Sequence, residues 1–369
     1  MVFLSWIYKQ PVEIIFGIGE LTSLPKRLSS AKKPLIVTNS FFLGNENVKA
    51  VISKLNAEVF TDVSENPDVS EVNRCSRLIK EIGIDAIAAI GGGSVIDLAK
   101  AASVMIDDIR LYHGTGISVP TDKKVRLVAV PTTAGTGSEV TCVSVLSDRK
   151  TGKKCPIVSD AFYPELTVID PELTVTMPPY ITASTGIDVL CHAIEGYWSR
   201  GHQPICDELA VSAASKVLSW LKTAYEQPDN LEARVNMAEA SLFAGLAFSL
   251  PKTTSSHACS FPLTSIYGIP HGEACGLTLE YFTRVNSTDK RTYALAQRLG
   301  FDSVESLADC ILDLKKQLGL RVGLDDLSLT DDRITELVEK SHHPNLLNNP
   351  IVITDEILYS MYNDLRKRA

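Results

Sequence analysis

No C-x-x-C pair occurs among the eight cysteines, which lie scattered at 75, 142, 155, 191, 206, 259, 275 and 310. That spacing argues against a zinc knuckle or a redox pair, and a chain of 369 residues needs no disulfide stapling, so reduced thiols are expected. Long apolar runs are missing too. The longest, Ala240 to Leu250, falls well short of the ~20 residues a membrane span requires. No dense Lys/Arg tract is present, and 36 Lys+Arg against 44 Asp+Glu give a net charge of −8. Such a balance is a poor basis for holding nucleic acid or a membrane surface. The opening segment, MVFLSWIYKQPVEIIFG, has neither a basic n-region nor a small-residue cleavage site, and reads as a first strand rather than a signal peptide. There is no internal repeat. What these absences leave is a soluble, cytoplasmic protein, with a hydrophobic share of 45% and a length that suggests two domains.

Along the first half, short β-rich runs alternate with helical patterns. Glu13–Phe16, Pro34–Thr38, Ala57–Phe60, Asp85–Ile90 and Arg126–Val130 read as strands, being mostly apolar and bounded by turn residues. Between them, Asn47–Leu55, Val69–Ile82 and Ser94–Met105 carry helix-period apolar residues. Such alternation implies βαβ units, a parallel sheet and helices on both faces. After Pro178-Pro179 the chain changes character: Ile181–Arg200, Asp207–Thr223, Leu231–Leu246, Val304–Gln317 and Asp355–Arg368 are long helical patterns. The expected division is therefore an α/β dinucleotide-binding domain over 1–178 and an all-helical domain over 179–369. A cleft between two such domains is a favoured ligand site.

Two loops point to a nucleotide. Gly91-Gly92-Gly93-Ser94 follows a buried strand and runs into the helix beginning at Val95. Glycines allow close backbone approach, and a helix start offers free N–H groups and a positive dipole end to an anion. Alone, the run is also compatible with an ordinary strand–helix turn, since it is neither G-x-G-x-x-G nor a Walker loop. The second loop, Pro131 to Thr141 (PTTAGTGSEVT), follows the Arg126–Val130 strand and is rich in hydroxyl donors with little bulk. Together the two favour a dinucleotide.

A metal set is also visible. Asp188 and His192 are i, i+4 within one helical pattern, so they share a face. His257 and His271 follow, fourteen residues apart, in a chain with seven histidines. One carboxylate and three imidazoles suit Fe²⁺ or Zn²⁺ rather than Ca²⁺ or Mg²⁺. Taken singly, a helical Asp/His pair is also compatible with an ordinary surface or core pair. His113, His202, His342 and His343 lie in polar or loop-like context and carry no assigned role.

The combination resembles the iron-containing (group III) alcohol dehydrogenase family over essentially the whole chain. The carrying motifs are GGGSVIDLAK (91–100), PTTAGTGSEVT (131–141), GIDVLCHAIEGY (186–197) and HACSFPLTSIYGIPHGEACG (257–276). The resemblance implies a Rossmann-like N-terminal domain, a helical C-terminal domain of the dehydroquinate synthase-like fold, and catalysis in the cleft. It matches Asp188, His192, His257 and His271 to the metal ligands. It also matches Gly92, Gly93 and Ser94 to pyrophosphate contacts, and Asp97, Thr132, Thr133, Ser138 and Lys154 (in a basic Lys150–Lys154 hairpin) to further nucleotide contacts. The implied reaction moves hydride between NAD(H) or NADP(H) and a small aldehyde or primary alcohol, the metal acting as Lewis acid. A homodimer is the implied assembly.

Three departures shape the expected specificity. Phe261 stands four residues after His257, where many relatives carry a second histidine. Asn39 ends the second strand where NAD-preferring relatives often have Asp, which removes a charge that would repel the 2′-phosphate of NADP(H). Lys252, in Pro251-Lys252-Thr253-Thr254-Ser255-Ser256, sits where relatives acting on simple alcohols carry small neutral residues. This stretch, with Ser260–Thr264, is similar to the phosphonoacetaldehyde reductase branch. Lys252, Ser256 and Phe261 are accordingly expected to face an anionic aldehyde, with a surface-turn lysine as the alternative. The rival functions are a glycerol dehydrogenase-like polyol dehydrogenase and a catalytically inactive nucleotide- or metal-binding sensor.

Overall fold

The computed structural model describes residues 5–121, 125–151 and 153–368. Residues 1–4 of the opening run and residue 152 of the expected basic hairpin lie outside the described residues. The chain forms two compact units, Lys9–Val175 and, with the N-terminal segment up to Tyr8, Thr176–Ala369.

The first unit is a doubly wound sheet. Its strands are β1 (Glu13–Phe16), β2 (Pro34–Thr38), β3 (Glu58–Phe60), β4 (Ala86–Gly91), β5 (Arg126–Pro131) and β8 (Leu166–Ile169), in the order β1-β8-β5-β4-β2-β3. Every neighbouring pair is parallel. A separate antiparallel hairpin joins β6 (Val143–Asp148) to β7 (Lys153–Val158). Helices α1 (Leu24–Arg27), α2 (Glu46–Leu55), α3 (Val69–Ile82) and α4 (Gly93–Ser103) cover the sheet.

Alternation along the strands sorts the core onto two faces. Leu35, Val37, Ile87, Ala89, Leu127 and Ala129 pack with Val72 and Ile79 of α3 and Leu98 of α4. Ile36, Ala88, Ile90, Val128 and Val130 pack with Leu24 of α1 and Val48 and Val51 of α2 on the other. Burial on both faces is why these strands read as unbroken apolar runs. Strand β8 has no counterpart in the sequence reading. Its four residues, flanked by Pro164 and Pro171, pair between β1 and β5, and buried Thr167 donates its hydroxyl to the Ala129 carbonyl at 3.1 Å.

The second unit is helical: α5 (Pro179–Trp198), α6 (Pro204–Glu226), α7 (Leu231–Phe248), α8 (Ser255–Tyr267), α9 (His271–Val285), α10 (Lys290–Arg298), α11 (Val304–Gln317), α12 (Asp331–Ser341) and α13 (Asp355–Leu365). Helix α5 is buried on nearly every side, as expected of a helix apolar all round. Two glycines of α9 are contact surfaces. A Cβ on Gly272 would stand 2.1 Å from the Ser184 carbonyl oxygen, and one on Gly276 would stand 2.8 Å from Ile187 Cγ1. These two positions let α9 lie directly on α5. Among the described residues, no helix is long and apolar enough to cross a membrane.

Candidate active site

The close α5–α9 contact brings His271 to Asp188. In the helical unit, single ligand atoms of Asp188, His257, His271 and Cys275 all lie within 4.8 Å of one another. His192, one turn beyond Asp188 on α5, places Nε2 4.0 Å from Asp188 Oδ1, and its ring stands 4.6 Å from that of His257. Phe248 stacks on the other side of His192, with centroids 4.2 Å apart and planes 12° apart. Three of the four residues expected as ligands thus fall in one group, with the Cys275 thiol as its fourth member, Sγ 3.7 Å from His271 Nε2, while His192 stands beside the group against Asp188 and His257.

The donor set fits a transition metal. Asp188 Oδ1 and His257 Nε2 are buried, 3.6 Å apart, and neither has a hydrogen-bond partner among the described residues. Leaving such groups unpaired costs about 1–3 kcal/mol each, a penalty that coordination to a cation removes. Burial, with a smaller push from the Glu195 charge, raises Asp188 to about 6 against the pull of His257 and a hydrogen bond from Cys275. Oxygen and imidazole nitrogen suit iron or zinc.

Glu195 holds this arrangement, and its role was not read from the sequence. One oxygen, Oε2, accepts a short hydrogen bond from His257 Nδ1. The other, Oε1, accepts the Ser256 amide at 2.6 Å and the Thr254 hydroxyl at 2.7 Å, and Trp198 Nε1 in turn donates to Thr254 at 2.8 Å. The carboxylate thus caps the start of α8 and orients His257, leaving Nε2 as the lone-pair face. Burial disfavours a charged His257, yet Glu195 and Asp188 together hold it above its ordinary value. The signal was present: Glu195 is seven residues after Asp188, on the same face of an otherwise apolar helix. Cys275 had a comparable signal, lying four residues after His271.

The residues expected to meet substrate separate. Phe261 is half-buried and stacks toward His271, with centroids 6.2 Å apart and planes 18° apart. Ser256 is buried with its hydroxyl unpartnered among the described residues, while its amide is on Glu195. Lys252 is exposed at φ 68°, and its ammonium donates to the Ser249 carbonyl at 2.8 Å. That geometry is a surface turn closing α7, and none of its contacts among the described residues reaches the ligand cluster.

In the α/β unit, β4 delivers Gly91 to the N-terminus of α4, where Gly92 is the N-cap. The glycines are required by proximity: a Cβ on Gly91 would stand 2.5 Å from Val95 Cγ2, and one on Gly93 2.7 Å from Thr136 Cγ2. Thr133 lies over Gly92, where a Cβ would meet Thr133 Cγ2 at 3.3 Å, and the Thr132 amide donates to the Gly91 carbonyl at 3.1 Å. The two loops read separately from the sequence are thus one surface of small residues and helix-start amides, suited to a pyrophosphate.

Beneath it lies a buried polar network. Asp97 accepts the Ser138 hydroxyl and, at 2.8 Å, the Val145 amide, while Lys100 donates to Ser138 Oγ and the Val143 carbonyl, each at 2.8 Å. Burial pushes Asp97 up and Lys100 down. Asp97 and Ser138 therefore clamp the threonine-rich loop onto α4. Ser94 Oγ accepts the Asn66 amide at 3.3 Å, and Asn66 Oδ1 takes the Lys154 ammonium. Asn39, just after β2, accepts the Phe42 amide on Oδ1 at 3.1 Å.

A parallel nucleotide-type sheet and a helical unit carrying an Asp/His cluster are the parts of a metal-linked dehydrogenase. The chain belongs to the iron-containing alcohol dehydrogenase family: the model of that name matches residues 11–171, and the model of the family's C-terminal part matches residues 182–365. It is an NAD-linked alcohol dehydrogenase of that family. A crystal structure of sulfoacetaldehyde reductase from Bifidobacterium kashiwanohense in complex with NAD+ is 52% identical, covers 99% of each chain and superimposes with a TM-score of 0.96. Alcohol dehydrogenase 4 of Schizosaccharomyces pombe is 32% identical over 339 residues, 88% of this chain and 80% of that protein. Sulfoacetaldehyde reductase of Bilophila wadsworthia is 29% identical over 380 residues, 96% of this chain and 98% of that protein.

Proposed function

We propose that this enzyme uses NADH and one divalent iron, held by Asp188, His192, His257 and His271, to reduce a short aldehyde bearing an oxyanion such as sulfonate. The observation that carries the substrate class is the 52% identity to a sulfoacetaldehyde reductase over 99% of both chains. Phosphonate is the same chemistry in a second form: a compact tetrahedral anion two carbons from the carbonyl oxygen. When bound, the metal supplies a Lewis acid for the carbonyl oxygen and the nicotinamide supplies hydride.

The chain's own residues bind and orient. In this reading the dinucleotide-binding domain spans 1–178, where Gly92, Gly93, Ser94, Thr132 and Thr133 receive the pyrophosphate. Asp97 and Ser138 hold that loop in place, and Lys154 and Asn39 meet the sugar side. Asn39 carries no charge against a 2′-phosphate, so NADPH is tolerated as a second cofactor. The helical domain spans 179–369, where Glu195 fixes the His257 ring and Phe261 walls the cluster. Among the described residues the eight cysteines form no disulfide, which fits action in a reducing compartment.

The test is steady-state turnover of iron-loaded protein on sulfoacetaldehyde, phosphonoacetaldehyde, glycolaldehyde and propanal, each with NADH and with NADPH. A kcat/KM for the sulfonate at least tenfold above that for propanal is expected. Equal values would overturn the anionic reading, and no turnover of any aldehyde would favour a binding-only protein.

A further inference from the structure

We infer that His343 is a specificity residue of this enzyme, its Nε2–H donating a hydrogen bond to the oxyanion head of the aldehyde across the ring of Phe261. The inference rests on the anionic-aldehyde reading above and names the group that reads the anion.

Two neighbouring histidines behave differently. His342 is exposed, with Nε2 2.9 Å from Asp355 Oδ1, an ordinary surface pair. His343 is half-buried, and its ring packs on Phe261 with centroids 4.7 Å apart. Phe261 itself stacks toward His271 at 6.2 Å. Only one aromatic ring therefore separates His343 from a residue of the ligand cluster. Phe261 takes that place because it follows His257 by four residues, one turn further along the same face of α8.

The ring's tautomer is set locally. Pro344 keeps His343 extended, at φ −123° and ψ 148°, as the N-cap of a short 3-10 turn over Pro344–Asn348. In that position Nδ1 accepts the Asn345 amide at 3.2 Å, so the ring proton sits on Nε2. Burial lowers the ring's proton affinity, against a weaker opposing pull from the Asn345 side chain, and the Asn345 amide on Nδ1 also favours the neutral ring. A neutral imidazole is a poor proton source, because losing Nε2–H would leave an imidazolate. It is a competent donor to an acceptor-only head group, which sulfonate is.

The segment is also held in position. Asn345 Nδ2 donates to Thr253 Oγ1 at 2.8 Å and Asn348 Nδ2 to the Thr253 carbonyl at 3.0 Å. The Ser255 hydroxyl donates to Asn349 Oδ1 at 3.1 Å. All three bonds tie the segment to the start of α8, the helix that carries His257 and Phe261. The donor is thus fixed relative to the ligand cluster before substrate arrives, which is what specificity by hydrogen bonding requires.

The test compares iron-loaded wild type, His343→Phe and His343→Gln on sulfoacetaldehyde and propanal with NADH, together with bound iron and NADH affinity. His343→Phe keeps a ring on Phe261 but removes the donor, and His343→Gln keeps a donor. Expected for His343→Phe is a rise of about tenfold or more in KM for sulfoacetaldehyde, as for loss of a hydrogen bond to a charged group. The same variant should leave KM for propanal, iron content and NADH affinity unchanged, and His343→Gln should recover most of the loss. Equal effects on both aldehydes, or none on either, would overturn the inference while leaving the substrate class standing. A wild type with no preference for sulfoacetaldehyde would instead overturn the substrate class, and the inference with it.

Discussion

Asp188 Oδ1 and His257 Nε2 face each other at 3.6 Å, both buried and both without a hydrogen-bond partner among the described residues. A folded protein seldom leaves two such atoms so close and unsatisfied unless something binds between them. The Glu195 carboxylate makes the arrangement one-directional, since it occupies Nδ1 and leaves Nε2 for the ligand. These three residues together make a pocket of unsatisfied donors suited to a cation.

Replacing Glu195 by Gln tests that orientation. The amide oxygen can still accept the Ser256 amide at the start of α8, so folding survives, but the charge that fixes His257 is gone. Metal affinity should fall about 10–100-fold, the usual effect of removing a carboxylate behind a ligand histidine. Competition with a chelator of known affinity measures it directly.

Gly272→Ala tests how α9 is placed. Its Cβ would meet the Ser184 carbonyl oxygen at 2.1 Å, and backbone cannot swing aside as a side chain can. Stability should drop by about 1–3 kcal/mol, with iron occupancy falling too because His271 moves from Asp188. Denaturant unfolding and metal analysis of the same preparation check both.

At the nucleotide end, Asn39→Asp restores a carboxylate after β2. A like charge beside a 2′-phosphate should raise KM for NADPH about tenfold and change KM for NADH by less than about twofold. Parallel titrations of the two cofactors at saturating aldehyde separate these outcomes.

Lys252→Ala distinguishes an anion contact from a surface turn. Because Lys252 is an exposed residue and its ammonium is bonded to the Ser249 carbonyl, the change should move KM for sulfoacetaldehyde and propanal alike, by less than about twofold. A selective rise for sulfoacetaldehyde would return Lys252 to the substrate site.

The parallel sheet and the Asp188/His192 pair were legible in the sequence because they rest on local pattern, whereas His257 and His271 were picked out by their motifs. Apolar runs between turn residues marked β2, β4 and β5, and i, i+4 spacing joined Asp188 to His192. What escaped depends on long-range contact. Strand β8 is four residues long and is a strand only because β1 and β5 flank it. Helix α9 begins Pro270-His271-Gly272, a breaker pattern whose glycines make sense once α5 is packed against them. Glu195 belongs to the same motif as Asp188 and His192, but its partners lie 59 to 62 residues further along the chain. His343 lies in a loop, as its neighbours Pro344 and Asn345 imply, and its packing on Phe261 gives it a place near the cluster.

The most direct measurement is iron bound per chain after anaerobic loading and desalting, for wild type and for Asp188→Asn. The account predicts one iron per chain in the wild type and almost none in the variant, with both proteins folded by circular dichroism. An Asp188→Asn protein that retains iron at the wild-type level would contradict it.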